Sequence, residues 1–328
     1  MKIKPTSSID SATLGCETLV KVCADFKPGE TALVISDATT RDVGELIAAV
    51  ASQISHQVVH LVIRPLQFHG EEPPSDIATR MLESDVIFGI TRMSLAHTNA
   101  RLMASKNGAR YLSLSDYSLT LLSSPALQVN FRDLTPQASR IAQVFTAGHE
   151  VSVHTPLGTS LVLRIDGRQA NPCPGWCDGP GSLASPPDAE TNIAIVESSS
   201  QGVILVDGSI LCDEIGLLDT PVNLDIVEGR ISRIRGTVAN QLEHVLDHAG
   251  FSGTRMLAEL GIGLNPKARI CGIMLEDEGS LGTIHLGFGS NATIGGENSV
   301  PFHLDMVIRN ASLKVDNKTI MEGGHLLV

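Results

Sequence analysis

Several features are missing from this 328-residue chain, and each absence narrows what it can be. There is no long uncharged apolar run, which excludes a helical membrane span. A formal charge of −12 is not offset by any basic stripe, so neither nucleic acid nor an anionic membrane is expected as the main partner. Met1-Lys2-Ile3-Lys4-Pro5-Thr6 leads into polar sequence where a secretory signal would carry its apolar core, so a cytoplasmic location is expected. Cysteines are scattered at 16, 23, 173, 177, 212 and 271. Cys173 and Cys177 flank Pro174-Gly175-Trp176, but a zinc knuckle needs a second pair, so reduced thiols are expected. The first strand-like run is followed by Ser36-Asp37-Ala38-Thr39-Thr40-Arg41 instead of G-x-G-x-x-G, which removes dinucleotide binding. No Gly-Lys-Ser/Thr of the Walker type, internal repeat or low-complexity tract is visible.

What is present suggests two domains, given the length and a hydrophobic fraction of 42%. The first half alternates strand-like and helix-like segments. Thr31–Ser36, Val58–Ile63, Asp85–Ile90 and Arg110–Ser115 read as strands. Asp42–Ile54 has helical periodicity through Val43, Leu46, Ile47, Val50 and Ile54. Pro74-Ser75-Asp76 reads as a helix start, and a further helix is expected from about Ala96 to Lys106. Strand, helix, strand in this order means a parallel sheet with helices on its faces. The pattern changes near residue 145. Two strands are expected within Glu150–Asp166, a loop over 171–188, more strands at Ile193–Val196, Val203–Val206 and Val222–Val227, and a hairpin turn at Glu228-Gly229. One helix, about Ala239–His248, interrupts them. The expected fold class is α/β, with an N-terminal parallel-sheet α/β domain over 1–145 followed by a β-rich α+β metal-binding domain over 146–328.

The last seventy residues gather acidic and imidazole side chains. His303 and Asp305 alternate with apolar Phe302, Leu304 and Met306, so in a strand both polar side chains leave one face. Imidazole beside carboxylate is a natural pair of ligands for a divalent transition metal. An isolated H-x-D is more often two solvent-facing residues. Here a second histidine-bearing run, Thr283-Ile284-His285-Leu286, lies among glycines behind Glu276-Asp277-Glu278, which favours a site.

Three blocks resemble the aminopeptidase T and aminopeptidase S family of dinuclear metallopeptidases. They are Glu259 to Ala268, Leu275 to Gly289 continuing through Gly295-Gly296, and His303-Leu304-Asp305. Pro187-Asp188-Ala189-Glu190 sits where that family has Pro-x-Gly-Glu, and Asp207-Gly208-Ser209 and His97 to Arg101 are also similar. Carried over by position, the resemblance implies metal ligands at Glu190, Glu259, Glu278, His285, His303 and Asp305, with Glu259 and Glu278 also catalytic. It further implies two divalent ions (zinc, cobalt or manganese), hydrolysis of a small peptide or related amide, and a homodimer. The chain departs from the family at Ala189, at Thr191-Asn192, which replace a more apolar pair, and past the histidine block. There Gly289-Ser290-Asn291-Ala292 stands where some members carry a tyrosine, and the only tyrosines here are Tyr111 and Tyr117. A backbone N–H of the glycine-rich turn is then the expected oxyanion donor.

The same fold family includes 2,5-dihydroxypyridine 5,6-dioxygenase, a mononuclear iron(II) ring-cleaving enzyme, which is the alternative reading. There the position of Glu259 is a histidine, and those of Glu190 and His285 are not ligands. On residue type the hydrolase is favoured; under the alternative, iron(II) would draw on His285, His303 and Asp305. Other residues carry plainer expectations. Glu276 and Asp277 are expected to be solvated or to support the ligands, and His97 to lie at a helix end or surface. His244 and His248 are expected to be exposed, His325 near the terminus carries no signal, and Asn265 and Asn291 are expected to occupy turns that use positive φ.

Overall fold

The computed structural model describes residues 8–328, so the Met1–Thr6 stretch read above for export lies outside it. Two compact units divide the chain. The first runs to Arg132 and takes back Gly175–Pro187; the second comprises Asp133–Pro174 and Asp188–Val328.

In the first unit, Val58–Val62, Ala32–Ser36, Val86–Gly89 and Arg110–Ser113 lie side by side in that order as parallel strands, and Leu183–Ala184 adds a fifth beyond Arg110–Ser113. Every residue of Ala32–Ser36 is buried, as befits an interior strand covered on both faces, whereas the edge strand Val58–Val62 leaves Val59 and Val62 exposed. Helix Arg41–Ser52 buries Val43, Ile47, Val50 and Ala51, one face of a 3.6-residue period. The helix expected from Ala96 starts at Asn99, because the Thr98 hydroxyl accepts the Arg101 N–H and caps it. His97 precedes the cap and is exposed, as expected.

The second unit opens with helix Thr135–Ala147, which buries Ala138, Ile141, Ala142 and Phe145. Two further sheets follow. One has eight strands, including the expected Glu150–His154 and Ser160–Arg164 pair and the hairpin whose Glu228 and Gly229 both take positive φ, 48° and 72°. The other has seven, with Glu190–Ala194, Leu257–Gly263, Thr283–Gly289 and His303–Arg309 as its antiparallel centre. The α/β class therefore holds. The boundary expected after residue 145 falls inside helix Thr135–Ala147 instead. That helix belongs with the second unit, where its Ala138 carbonyl accepts the Thr191 hydroxyl. The loop expected over 171–188 is also split. Asn171–Cys173 pairs with Glu190–Ala194, while Leu183–Ala184 joins the parallel sheet. Among the described residues no helix is long and apolar enough to cross a membrane, and all six cysteines are free thiols.

Candidate metal centre

The candidate residues converge on one face of the seven-stranded sheet, and its registers explain how. Asn192, Gly261 and His285 form one cross-strand row; Ala194, Glu259, Gly287 and Asp305 form the next; Gly289 faces His303. Alternation along each strand puts Glu190 with Asn192, His285 with Gly287, and His303 with Asp305 on the same side. A glycine stands in each row, and the reason is steric. A Cβ on Gly261 would lie 2.0 Å from His285 Nε2 and 2.9 Å from Glu190 Oε2. One on Gly287 would lie 2.8 Å from His303 Nε2 and 2.9 Å from Asp305 Oδ1. The L-G-I-G and H-L-G-F-G runs thus clear the floor on which long polar side chains meet.

Glu259 stands at the centre. Its Oε1 is 3.8 Å from His285 Nε2, and its Oε2 is 3.3 Å from His303 Nε2. His285 Nε2 is also 3.0 Å from Glu190 Oε2, and His303 Nε2 is 3.1 Å from Asp305 Oδ2. Two groups result, Glu190–Glu259–His285 and Glu259–His303–Asp305, each with ligand atoms within 4.8 Å of one another. They share Glu259, and each contains one imidazole and two carboxylates. His303 Nδ1 lies 2.8 Å from the Ser290 carbonyl and donates to it, which turns Nε2 toward the carboxylates. Glu278 reaches the cluster from outside the sheet, just past the short helix Met274–Asp277. A Cβ on Gly263 would strike the Ser280 and Glu278 carbonyls at 2.1 and 2.7 Å, so this glycine lets that segment cross the strand closely. Glu278 lies beside Asp305 and outside both three-residue groups.

The cluster is rich in negative charge, and Glu190, Glu259, His285 and Asp305 are buried, while Glu278 is half-buried and His303 exposed. Burial raises the carboxyls of Glu259 and Glu278, and neighbouring Asp305 raises both further; Glu278 ends well above the ordinary carboxylate range. Burial alone would lower the histidines. Instead Glu190 pushes His285 well up, and Asp305 holds His303 at about 10, while Asp305 itself, despite burial, is brought to about 2 chiefly by His303. Sequence reading missed one member. Asp188, 7% exposed, is raised well above its usual range by burial and then by Glu190. Its only sequence signal was its place two residues before Glu190. Asp188 Oδ1, Glu190 Oε2, Glu278 Oε1 and His285 Nδ1 are all buried without a hydrogen-bond partner. The ion pairs made by Glu190, Glu259 and Asp305 are with imidazoles alone. Buried carboxylate oxygens so crowded and so poorly supplied with donors suit cations, and the mixed oxygen and nitrogen donor set suits a divalent transition metal.

Other expectations change. Glu276 and Asp277 are buried instead of solvated; Asp277 accepts the N–H groups of Cys271 and Gly272 and the Ser209 hydroxyl, which fixes the neighbouring loop. Asn265 and Asn291 are fully buried and neither has positive φ. Asn291 instead ties the Ile195 and Ala258 carbonyls to Glu197. The N–H groups of Gly289, Ser290, Asn291 and Gly296 already donate to backbone carbonyls, so the expected oxyanion donor is not among these. Tyr111 and Tyr117 are buried in the first unit; His244 and His248 are exposed, as expected, and so is His325.

Residues 15–328 match the model of the NicX family, 2,5-dihydroxypyridine 5,6-dioxygenase. The chain belongs to that family. The 2,5-dihydroxypyridine 5,6-dioxygenase of Pseudomonas putida KT2440 is 24% identical over 164 residues, and this alignment spans about half of each protein (47% of each). The solved structure of the dihydroxypyridine dioxygenase from Pseudomonas putida KT2440 superposes with a TM-score of 0.83 at 17% identity, covering 99% of both chains. Wild-type AmpT from Thermus thermophilus superposes with a TM-score of 0.69 at 13% identity, covering 98% of this chain and 100% of that one. At such identities the two structures establish the NicX/AmpT fold. The family match falls on the dioxygenase side of the resemblance, and the aminopeptidase side is represented by the structural neighbour.

Proposed function

We propose that this NicX-family chain is a metal-dependent hydrolase that cleaves a small peptide or related amide. The observation that supports this most is the position of Glu259 at the junction of two ligand groups. Glu190, Glu259 and His285 would hold one divalent ion, and Glu259, His303 and Asp305 a second. A pair of such ions, when bound, acidifies a water between them and polarises an amide carbonyl. The chain's own residues supply the rest. Glu278, outside both groups and beside Asp305, is the proposed proton carrier, since the positive charge of bound ions would favour the ionised carboxylate that this role needs. It takes a proton as water adds to the carbonyl carbon and delivers it to the departing amine nitrogen as the C–N bond breaks. Glu278, expected from sequence to be also a ligand, is thus assigned the proton-transfer role alone.

A second reading, iron(II)-dependent ring cleavage, is favoured by the family match and by the Pseudomonas putida relative. It would need both histidines and a carboxylate on one ion, whereas each group here contains a single histidine. The two readings separate in one experiment. Under anaerobic conditions the metal-loaded protein should release free amine from di- and tripeptides or simple amides, and a chelator should stop it. With iron(II) and dihydroxylated pyridines, oxygen uptake coupled to loss of the aromatic absorbance would refute hydrolysis and establish the second reading.

A further inference from the structure

The Glu190 strand departs from the resembled family at Thr191-Asn192, and the departure puts a polar amide inside the site. Asn192 is 6% exposed, and its Nδ2 donates to Glu190 Oε1 at 2.7 Å. Its own Oδ1 accepts from Asn171 Nδ2 at 3.0 Å. These two bonds agree on one orientation of the Asn192 amide. The flipped amide would set its oxygen against the Glu190 carboxylate and its NH₂ against that of Asn171. Register explains the alignment: Asn171, Asn192, Gly261 and His285 are successive partners across four strands. With Oε1 bound in this way, Glu190 presents Oε2, which has no hydrogen-bond donor, 3.0 Å from His285 Nε2.

We propose that Asn192, held by Asn171, is a positioning residue that sets Glu190 for the cation shared with Glu259 and His285, and so governs occupancy of that position and not of the one at His303 and Asp305. This rests on the two-ion reading above. The physical effect is preorganisation. A carboxylate with one oxygen fixed by a buried donor does not swing between neighbours, and losing such a supporting bond typically weakens metal affinity about 10–100-fold.

The test is a cobalt(II) titration of the full chain after chelator treatment, followed by calorimetry and by the visible absorption of bound cobalt. In Asn192→Leu, which keeps the branching at Cγ but not the donor, one of the two binding steps should weaken about 10–100-fold and the other stay unchanged. Asn192→Asp, which replaces the donor by a like charge, should lose that step altogether. Asn171→Ala, which leaves the Asn192 amide in place but unanchored, should weaken the same step by a smaller factor. Melting in EDTA controls for folding. Two steps that weaken in parallel, or a wild-type pattern in both Asn192 variants, would overturn the role of Asn192. Saturation of the unmutated chain at one ion would overturn the two-ion reading and this inference with it.

Discussion

Replacing Gly261 by alanine adds one methyl group to the floor of the site, and the geometry makes its effect specific. The new Cβ would lie 2.0 and 2.1 Å from His285 Nε2 and Cε1 and 2.9 Å from Glu190 Oε2. Carbon and nitrogen do not approach closer than about 3.4 Å without a bond, so the imidazole must retreat by more than 1 Å. His285 is 2% exposed and cannot swing into solvent. Overpacking of this kind costs about 1–3 kcal/mol of stability, and a 1 Å misplacement of a reacting group costs about 100-fold in rate. The Glu190–Glu259–His285 group should therefore lose its ion, while Glu259–His303–Asp305, reached across Gly287 and not Gly261, keeps the other. The assay is metal content by elemental analysis, beside thermal melting of the metal-free protein. Wild-type metal content and turnover in folded Gly261→Ala would refute the steric argument and the assignment of His285 as a ligand.

Three other perturbations probe different parts of the account. Glu259→Ala removes the shared carboxylate and should abolish binding of both ions, in contrast to the single loss expected of Gly261→Ala; elemental analysis of the folded variant decides. Glu278→Gln should keep both ions and lower turnover by about 10²–10⁴-fold, and an unchanged rate would remove it as the proton carrier. In the first unit, burial raises the Asp37 carboxyl, but bonds from Thr39, the Arg92 N–H and Thr40 outweigh this and hold it below its usual value. A depressed folded pKa stabilises the protein above the unfolded value of about 3.9 and ceases to do so as pH falls through the folded value. Asp37→Asn should accordingly be less stable than the parent by about 1.5–3 kcal/mol at pH 7, and the gap in melting temperature should narrow as pH falls below about 3.9.

The parts of this structure legible from sequence were those written in short-range periodicity. Alternation placed His303 and Asp305 on one face, and the amphipathic run after Asp42 gave its helix to within two residues of the observed Arg41–Ser52. The convergence of Glu190, Glu259 and His285 is different in kind. It depends on the register of three strands that are far apart in sequence, and reading it required the family resemblance. Glycine alternation around Gly261 and Gly287 was a physical signal of that convergence, since only a floor without Cβ atoms admits it. Asp188 went unrecognised because a carboxylate near a proline pair has no period to follow. The boundary was misplaced because helix Thr135–Ala147 has the same amphipathic period as the helices of the first unit, and the loop over 171–188 hid Leu183–Ala184 because a two-residue strand is too short to leave a pattern.

The central claim is that Glu259 joins two cation positions, and the number of ions the protein holds tests it most directly. Protein purified without chelator, reconstituted with zinc, cobalt(II), manganese(II) or iron(II) and freed of excess by equilibrium dialysis, should retain close to two ions per chain with at least one of these metals. Saturation at one ion per chain with every metal would contradict the account and return the chain to the mononuclear iron(II) reading.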